Sequence, residues 1–445
     1  MLRTVEIPLW ALMLLVAFAA VTFASHFLFP SVRWFLRRRA ERLVARLNAR
    51  LRHPIQPFKL ARRADTVMRL VHDPAVAEAI AEHARKEGVP EEVAFETARR
   101  YAREIVPGFS ATLYFSVAMR LARWLSKHLY RVRVSGAPPP GDPDTTTVFV
   151  MNHRSNMDYV LVTWLLAGET SLAYAVGEWA RRWPLRPLIR ALGGYFVRRR
   201  DLNPLYRRVL ARYVQRATAA GVTQAVFPEG RLSRDGALQP PKLGILHYVA
   251  EGGGARDVRF VPVALNYERV IEDRSLLAAR EGPGAFRLHW WQVARYLLRH
   301  VQLRLTGRFT RFGYAAVSYG EPLSLRAFLA DGHHDPTEAL GGALMARVEA
   351  VLPVLPVPLV AEALLAGHAT LPAVAGHLER RARAFAGGRH PLHHAADAPR
   401  DVALAALRML EVRGVVRWEE GRIAVDGGQI GLLRFYARTL PTGES

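Results

Sequence analysis

The chain has 445 residues, half of them apolar, and a formal net charge of +23, so one large catalytic domain with smaller flanking pieces is affordable. Nearly all the basicity is arginine, with lysine only at Lys59, Lys86, Lys127 and Lys242; it reflects an Arg-rich composition or an anionic partner such as membrane lipid, a phosphorylated substrate, an acidic carrier protein or nucleic acid. There is no cysteine, which excludes disulfides, thiolate catalysis and cysteine-ligated metals.

Ile7 to Phe29 carries no Asp, Glu, Lys or Arg. As a helix it would run about 34 Å at about 1.5 Å per residue, enough to span a bilayer. Residues 1–32 are therefore expected to be an uncleaved transmembrane anchor. The flank beyond it holds Arg33, Arg37, Arg38, Arg39, Arg42 and Arg46, which predicts a single span with the remaining chain facing the cytoplasm. Residues 33–130 follow as a basic juxtamembrane and helical region. Arg33 to Arg63 should be drawn to anionic membrane lipid. Asp65 to Arg103 predicts two helices separated by Gly88-Val-Pro90, and Phe109 to Leu129 an interfacial amphipathic helix.

Residues 131–325 form the predicted catalytic domain. After the loop Ala137–Pro143, β-like runs at Thr146–Met151, Ser171–Val176, Tyr195–Arg198, Gln224–Phe227 and Phe260–Leu265 alternate with helical patterns at Tyr159–Leu166, Pro187–Leu192, Leu205–Ala219 and Leu243–Glu251. Such alternation implies an α/β fold: a mixed, largely parallel sheet flanked by helices, with sites in the loops at strand ends. Arg287 to Leu305 predicts a basic aromatic helix carrying Trp290-Trp291. Residues 326–445 are expected to be mainly helical. Within them Val351–Pro358 is too proline-rich for a helix, and Asp401–Val425 predicts a helix followed by a hairpin around Glu420-Gly421. His390, His393 and His394 fit a polar loop rather than a metal site, and no cofactor is expected.

Two runs carry chemistry. In Val148–Asp158 a strand ends at His153, and Asp158 opens a helix one turn later. Histidine is a good base near neutrality, and a carboxylate on one ring nitrogen fixes the tautomer and stabilises the imidazolium. In Phe227–Gly236 a strand runs into Glu229-Gly230, then Arg231, Ser233 and Arg234 supply donors suited to phosphate. Glu229 is placed to accept a hydrogen bond from a substrate hydroxyl or to order an arginine. Arg198 and Arg199, at the end of Gly194–Arg200, are a third set of phosphate ligands, and Lys242 a fourth candidate. There is no P-loop, dinucleotide fingerprint or nucleophile elbow.

Four blocks in order resemble the membrane-bound glycerol-3-phosphate acyltransferases within the glycerolipid acyltransferase superfamily. They are Asn152–Asp158, Gly194–Arg199 with Asn203–Tyr206, Phe227–Gly236, and Val261–Glu268. The resemblance covers roughly Asp65 to the C-terminus. It implies transfer of an acyl group from acyl-CoA or acyl-carrier protein to the 1-hydroxyl of glycerol-3-phosphate, with His153 and Asp158 catalytic and the substrate held by Arg198, Arg199, Glu229, Gly230, Arg231, Ser233, Arg234 and Lys242. The third block departs from the family pattern: Leu232 takes the place of an arginine, and Arg231 sits one residue earlier. Lysophosphatidate or another phosphorylated acceptor is the alternative substrate. A non-catalytic, membrane-anchored binder of anionic ligands is the alternative of another class; nucleic acid is not expected as a partner.

Overall fold

The computed structural model describes residues 8–24, 29–177, 185–198, 202–254, 256–281, 302, 311–386, 390–393 and 398–442. Arg199, His394 and the predicted helix Arg287–Leu305, apart from Gln302, lie outside the described residues.

An eight-stranded sheet organises the chain. Its strands are β1 (Arg131–Ser135), β2 (Thr145–Met151), β3 (Ala173–Val176), β4 (Gly194–Phe196), β5 (Gln224–Val226), β6 (Asp257–Tyr267), β7 (Tyr314–Tyr319) and β8 (Leu323–Ser324). The order is β1-β7-β6-β2-β5-β3-β4, with β8 also on β6. The run β6-β2-β5-β3-β4 is parallel throughout, whereas β7 and β8 lie antiparallel to β6 and β1 lies parallel to β7. All five strand runs expected from the sequence are strands, and the sheet is mixed and largely parallel. β1, β7 and β8 were not anticipated; β1 alternates Arg and Val at one edge of the sheet, and its side chains are mostly exposed.

β2 shows how the layers arise. Side chains alternate across a strand, so Val148 and Val150 enter one core while Phe149 and Met151 enter the other. The first core is closed by N-terminal helices and by Pro204–Ala219, Leu243–Glu251 and Pro336–Ala350. The second is closed by Met157–Leu166 and by the C-terminal helices Pro356–Leu365, Leu371–Ala386, Pro399–Val412 and Ile430–Ala437. The C-terminal region thus shares its core with the eight-stranded sheet.

Two differences from expectation have local causes. Asp65–Arg103 holds three helices, Arg63–Val71, Pro74–Glu87 and Glu91–Ile105, because Asp73-Pro74 restarts the chain: the Asp73 side chain accepts from Ala75 N at 3.1 Å and Pro74 opens the next helix. Pro356–Leu365 is a helix despite Pro356 and Pro358, since both prolines sit in the first turn, where the N–H has no intrahelical partner. The expected anchor over residues 1–32 lies partly outside the described residues; within them an apolar helix covers Leu9–Phe23, with none of its residues buried, and a basic helix covers Phe29–Asn48. Among the described residues no helix is long and apolar enough to cross a membrane. The predicted Asp401–Val425 helix and hairpin are present as Pro399–Val412 and the antiparallel pair β9 (Val416–Glu419) and β10 (Arg422–Val425).

Candidate active site

β2 delivers His153 just past its C-terminal end, and Met157–Leu166 starts at once with Asp158 in its first turn. His153 Nδ1 and Asp158 Oδ2 are 2.9 Å apart. The same oxygen accepts the backbone N–H groups of Arg154 at 2.8 Å and Ser155 at 3.0 Å, and Oδ1 accepts the Tyr267 hydroxyl at 2.7 Å. Asp158 is fully buried, so its charge is held by this set of donors. With Nδ1 tied to the carboxylate, Nε2 is the nitrogen free to take a proton.

The turn itself is braced. Asn152 forms a reciprocal pair with the Leu265 backbone, donating to its carbonyl at 2.9 Å and accepting its N–H at 2.7 Å, which fixes the end of β2 against β6. Glu272 accepts Ser155 Oγ at 2.7 Å and Asn156 Nδ2 at 3.0 Å. The imidazole lies among aromatic rings, 4.3 Å from Phe227 and 5.3 Å from Tyr159 by centroid.

The second run approaches from β5. Glu229 Oε1 accepts the His153 backbone N–H at 3.0 Å, and the Ser233 N–H donates to the His153 carbonyl at 3.0 Å. Ser233 Oγ is used within its own turn, donating to the Ala237 carbonyl and accepting the Gly236 N–H. Gly230 is at φ +67°, and a Cβ there would come 2.9 Å from Lys242 Cδ, so the glycine lets the lysine lie across the loop. The Gly236 carbonyl accepts the guanidinium of Arg154, a fully buried cation one residue after the histidine. Burial pulls the Arg154 pKa down, and Glu229, Asp158 and Asp235 oppose that.

A cavity of about 390 Å³ opens on this constellation. His153 and Phe227 stand in its wall beside apolar Val176, Val197, Leu202, Leu210 and Ile245, and three cations, Arg198, Arg207 and Lys242, share the lining. Arg198 is held from behind by Glu104, bidentate at 2.9 and 2.8 Å, and by the faces of Tyr101 and Tyr206. Tyr206 belongs to the helix that Asn203 caps, its N–H reaching Asn203 Oδ1 at 2.7 Å.

The structure therefore gathers His153, Asp158, Glu229, Gly230, Arg198 and Lys242, with Ser233 as a brace. It does not gather Arg231 and Arg234: both are exposed, neither lines the cavity, and Arg234 donates to the Ala279 carbonyl. Arg231 thus does not stand in for the arginine missing at Leu232. Tyr267, Glu272, Glu104, Arg154 and Arg207 had no role assigned from the sequence. Tyr267 was within reach, since it lies in the fourth block; Arg207 follows the Asn203-Pro204 cap by one turn. Glu104 gives no local signal, because it meets Arg198 only through the fold. Among the described residues no group of His, Asp and Glu is placed to hold a metal, and His393 pairs with Ser135 Oγ at 3.3 Å.

Burial raises Glu229 from 4.5 to about 7, with Arg154 and the His153 N–H pulling the other way. A carboxyl that binds its proton more tightly when folded adds stability in full below about pH 4.5, and that contribution fades as pH rises through about 7. Glu268, also pushed up to about 7 by burial, acts in the same direction. Glu229→Gln should therefore flatten, without abolishing, the fall of the thermal midpoint between pH 5 and 8, by roughly 3 kcal/mol at most. Melts across that range test it; an unaltered slope would place the titration elsewhere.

Residues 131–266 match the acyltransferase family model, whose description is "Acyltransferase". The chain is similar to the glycerol-3-phosphate acyltransferase of Aeromonas hydrophila, 32% identical over 281 residues, which is 61% of this chain and 34% of that protein. It is similar to that of Shewanella amazonensis at 34% over 263 residues, 57% of this chain and 31% of the relative. It is also similar to that of Ectopseudomonas mendocina at 31% over 278 residues, 61% and 33%. The chain spans about a third of the length of these curated relatives. A solved 1-acyl-sn-glycerophosphate (LPA) acyltransferase from Thermotoga maritima aligns with 64% of this chain and 94% of its own, at 20% identity and a TM-score of 0.34.

Proposed function

Because the chain belongs, through residues 131–266, to the acyltransferase family, we propose that it transfers a fatty acyl group from a thioester, acyl-CoA or acyl-carrier protein, to the sn-1 hydroxyl of glycerol-3-phosphate, giving lysophosphatidate. His153 Nε2 takes the proton as the hydroxyl oxygen attacks the thioester carbonyl. The new C–O ester bond forms, the C–S bond breaks, and the imidazolium returns its proton to the departing thiolate. Asp158 holds Nδ1–H and stabilises the imidazolium. No acyl-enzyme is needed, and no cofactor enters.

The observation that carries this reading is the Asp158–His153 pair opening onto a cavity that is apolar over most of its wall yet contains three cations. A phosphorylated acceptor and an acyl chain need those two kinds of surface side by side. Arg198, Arg207 and Lys242 are assigned to the phosphate, and Glu229 holds the His153 backbone in place. The test is turnover of glycerol-3-phosphate, lysophosphatidate and dihydroxyacetone phosphate by the purified chain with each donor. No turnover of glycerol-3-phosphate would sink the assignment. Lys242→Gln should raise KM for glycerol-3-phosphate about tenfold with little change in kcat, as expected for loss of one charge-assisted phosphate contact. A fall in kcat at constant KM would instead move Lys242 off the phosphate.

Placement at the cytoplasmic face of a membrane belongs to the same proposal. It is supported by Leu9–Phe23, uncharged and apolar but for Thr22 and with no residue buried, and by the exposed Val117, Leu121 and Trp124 of the helical stretch 113–129. An acyl donor and a lipid product partition to that surface.

A further inference from the structure

Away from the catalytic cavity, a cleft of about 700 Å³ lies between the basic helix Phe29–Asn48 and the π-helical turn Leu113–Ala118. Arg39, Arg42 and Arg46 line it, spaced three and four apart and so on one helix face. Thr112 and Ser116 share the lining, and no acidic residue does. None of the three arginines has a carboxylate partner among the described residues, although the Arg42 Nε–H reaches the Arg38 carbonyl at 3.4 Å. Three guanidinium groups in one cleft repel one another, and an anion between them relieves that.

The walls say which kind of anion. Phe35 is half exposed at the cleft, and Val117, Leu121 and Trp124 present apolar surface on the adjoining helix. The geometry is fixed from below, where Val44 and Leu47 pack on Tyr114 and Phe115. Cations flanked by exposed aromatic and aliphatic side chains suit a ligand that is charged at one end and oily at the other.

We infer that Arg39, Arg42 and Arg46, with Thr112 and Ser116, bind the phosphate of an anionic phospholipid headgroup in the membrane surface. The site rests on the membrane placement proposed above but not on acyl transfer. It gives the basic helix a defined contact with one lipid in place of diffuse attraction to a charged surface, and it holds the helix and the π-turn together through the ligand.

The test uses the full chain in neutral detergent, titrated with phosphatidylglycerol carrying brominated acyl chains, with quenching of tryptophan fluorescence as the readout. Saturable quenching is expected with phosphatidylglycerol and not with brominated phosphatidylcholine. The combined substitution Arg39→Gln, Arg42→Gln and Arg46→Gln should weaken it at least about tenfold, because each cation near a headgroup contributes several-fold in affinity. Thr112→Val with Ser116→Ala should weaken it to a smaller extent. Inorganic phosphate at the same concentration should not displace the lipid. Equal binding by the arginine variant, equal quenching by phosphatidylcholine, or displacement by phosphate would each overturn the site. Turnover measured on the same samples keeps the two readings apart: lipid binding without turnover overturns the enzymatic assignment alone.

Discussion

His153→Ala should abolish acyl transfer to glycerol-3-phosphate, by at least about 100- to 10,000-fold, while the protein stays folded. In the proposed reaction the imidazole is the base: it is the histidine of the cavity wall, with a carboxylate set against its Nδ1, whereas the cations beside it, Arg198 included, are already protonated donors. Its loss removes a ring from the contacts with Phe227 and Tyr159 and leaves Asp158 with three donors in place of four. That costs on the order of 2 kcal/mol, a shift in thermal midpoint of a few degrees and no collapse. Steady-state turnover and a melt on the same preparation check both halves. A variant with wild-type turnover would favour the alternative of a non-catalytic anionic-ligand binder.

Asp158 should show a divided result. Asp158→Asn keeps the shape, but the amide NH2 cannot accept from the donors the carboxylate served, and the tautomer of His153 loses its anchor. Turnover should fall about 1,000- to 10,000-fold with the fold intact. Asp158→Ala removes the acceptor of the His153 ring, two backbone N–H groups and the Tyr267 hydroxyl at a fully buried position. At about 1–3 kcal/mol for each unsatisfied buried donor, the sum rivals the net stability of an ordinary domain, so this variant should be poorly folded or fail to accumulate. Tens of per cent of wild-type turnover in the asparagine variant would refute the orienting role.

The sequence carried the parallel half of the sheet well. β2, β3 and β6 are rich in β-branched or aromatic residues, β5 is a short buried run, and the helices between them keep a helical apolar period. It carried β1 and β7 poorly, because a strand of alternating Arg and Val and one of small residues are recognisable only once paired. The His153–Asp158 pair was legible for a local reason: its two members are five positions apart and one turn joins them. The substrate grip was less so. Arginine is everywhere in this chain, and whether a given one faces the cavity is decided by contacts such as Glu104 on Arg198, 94 positions away. Arg231 and Arg234 matched a pattern of spacing yet point out of the lining, while Arg207 matched none and stands in it.

The loop carrying Glu229 and Ser233 leans on the last described helix. Arg438 reaches Asp235 across 203 positions of sequence, and the backbone of Gly236, at φ +87°, passes so close to the Phe435 carbonyl that a Cβ there would collide with it. Timing follows from this. During synthesis β2 and β5 leave the ribosome long before Arg438 does, so a nascent chain carries its histidine and aspartate without the finished wall around them. Enzymatic competence should then appear abruptly, only after the stretch through Thr439 has emerged, and ribosome-stalled chains ending near residue 425 should be inert.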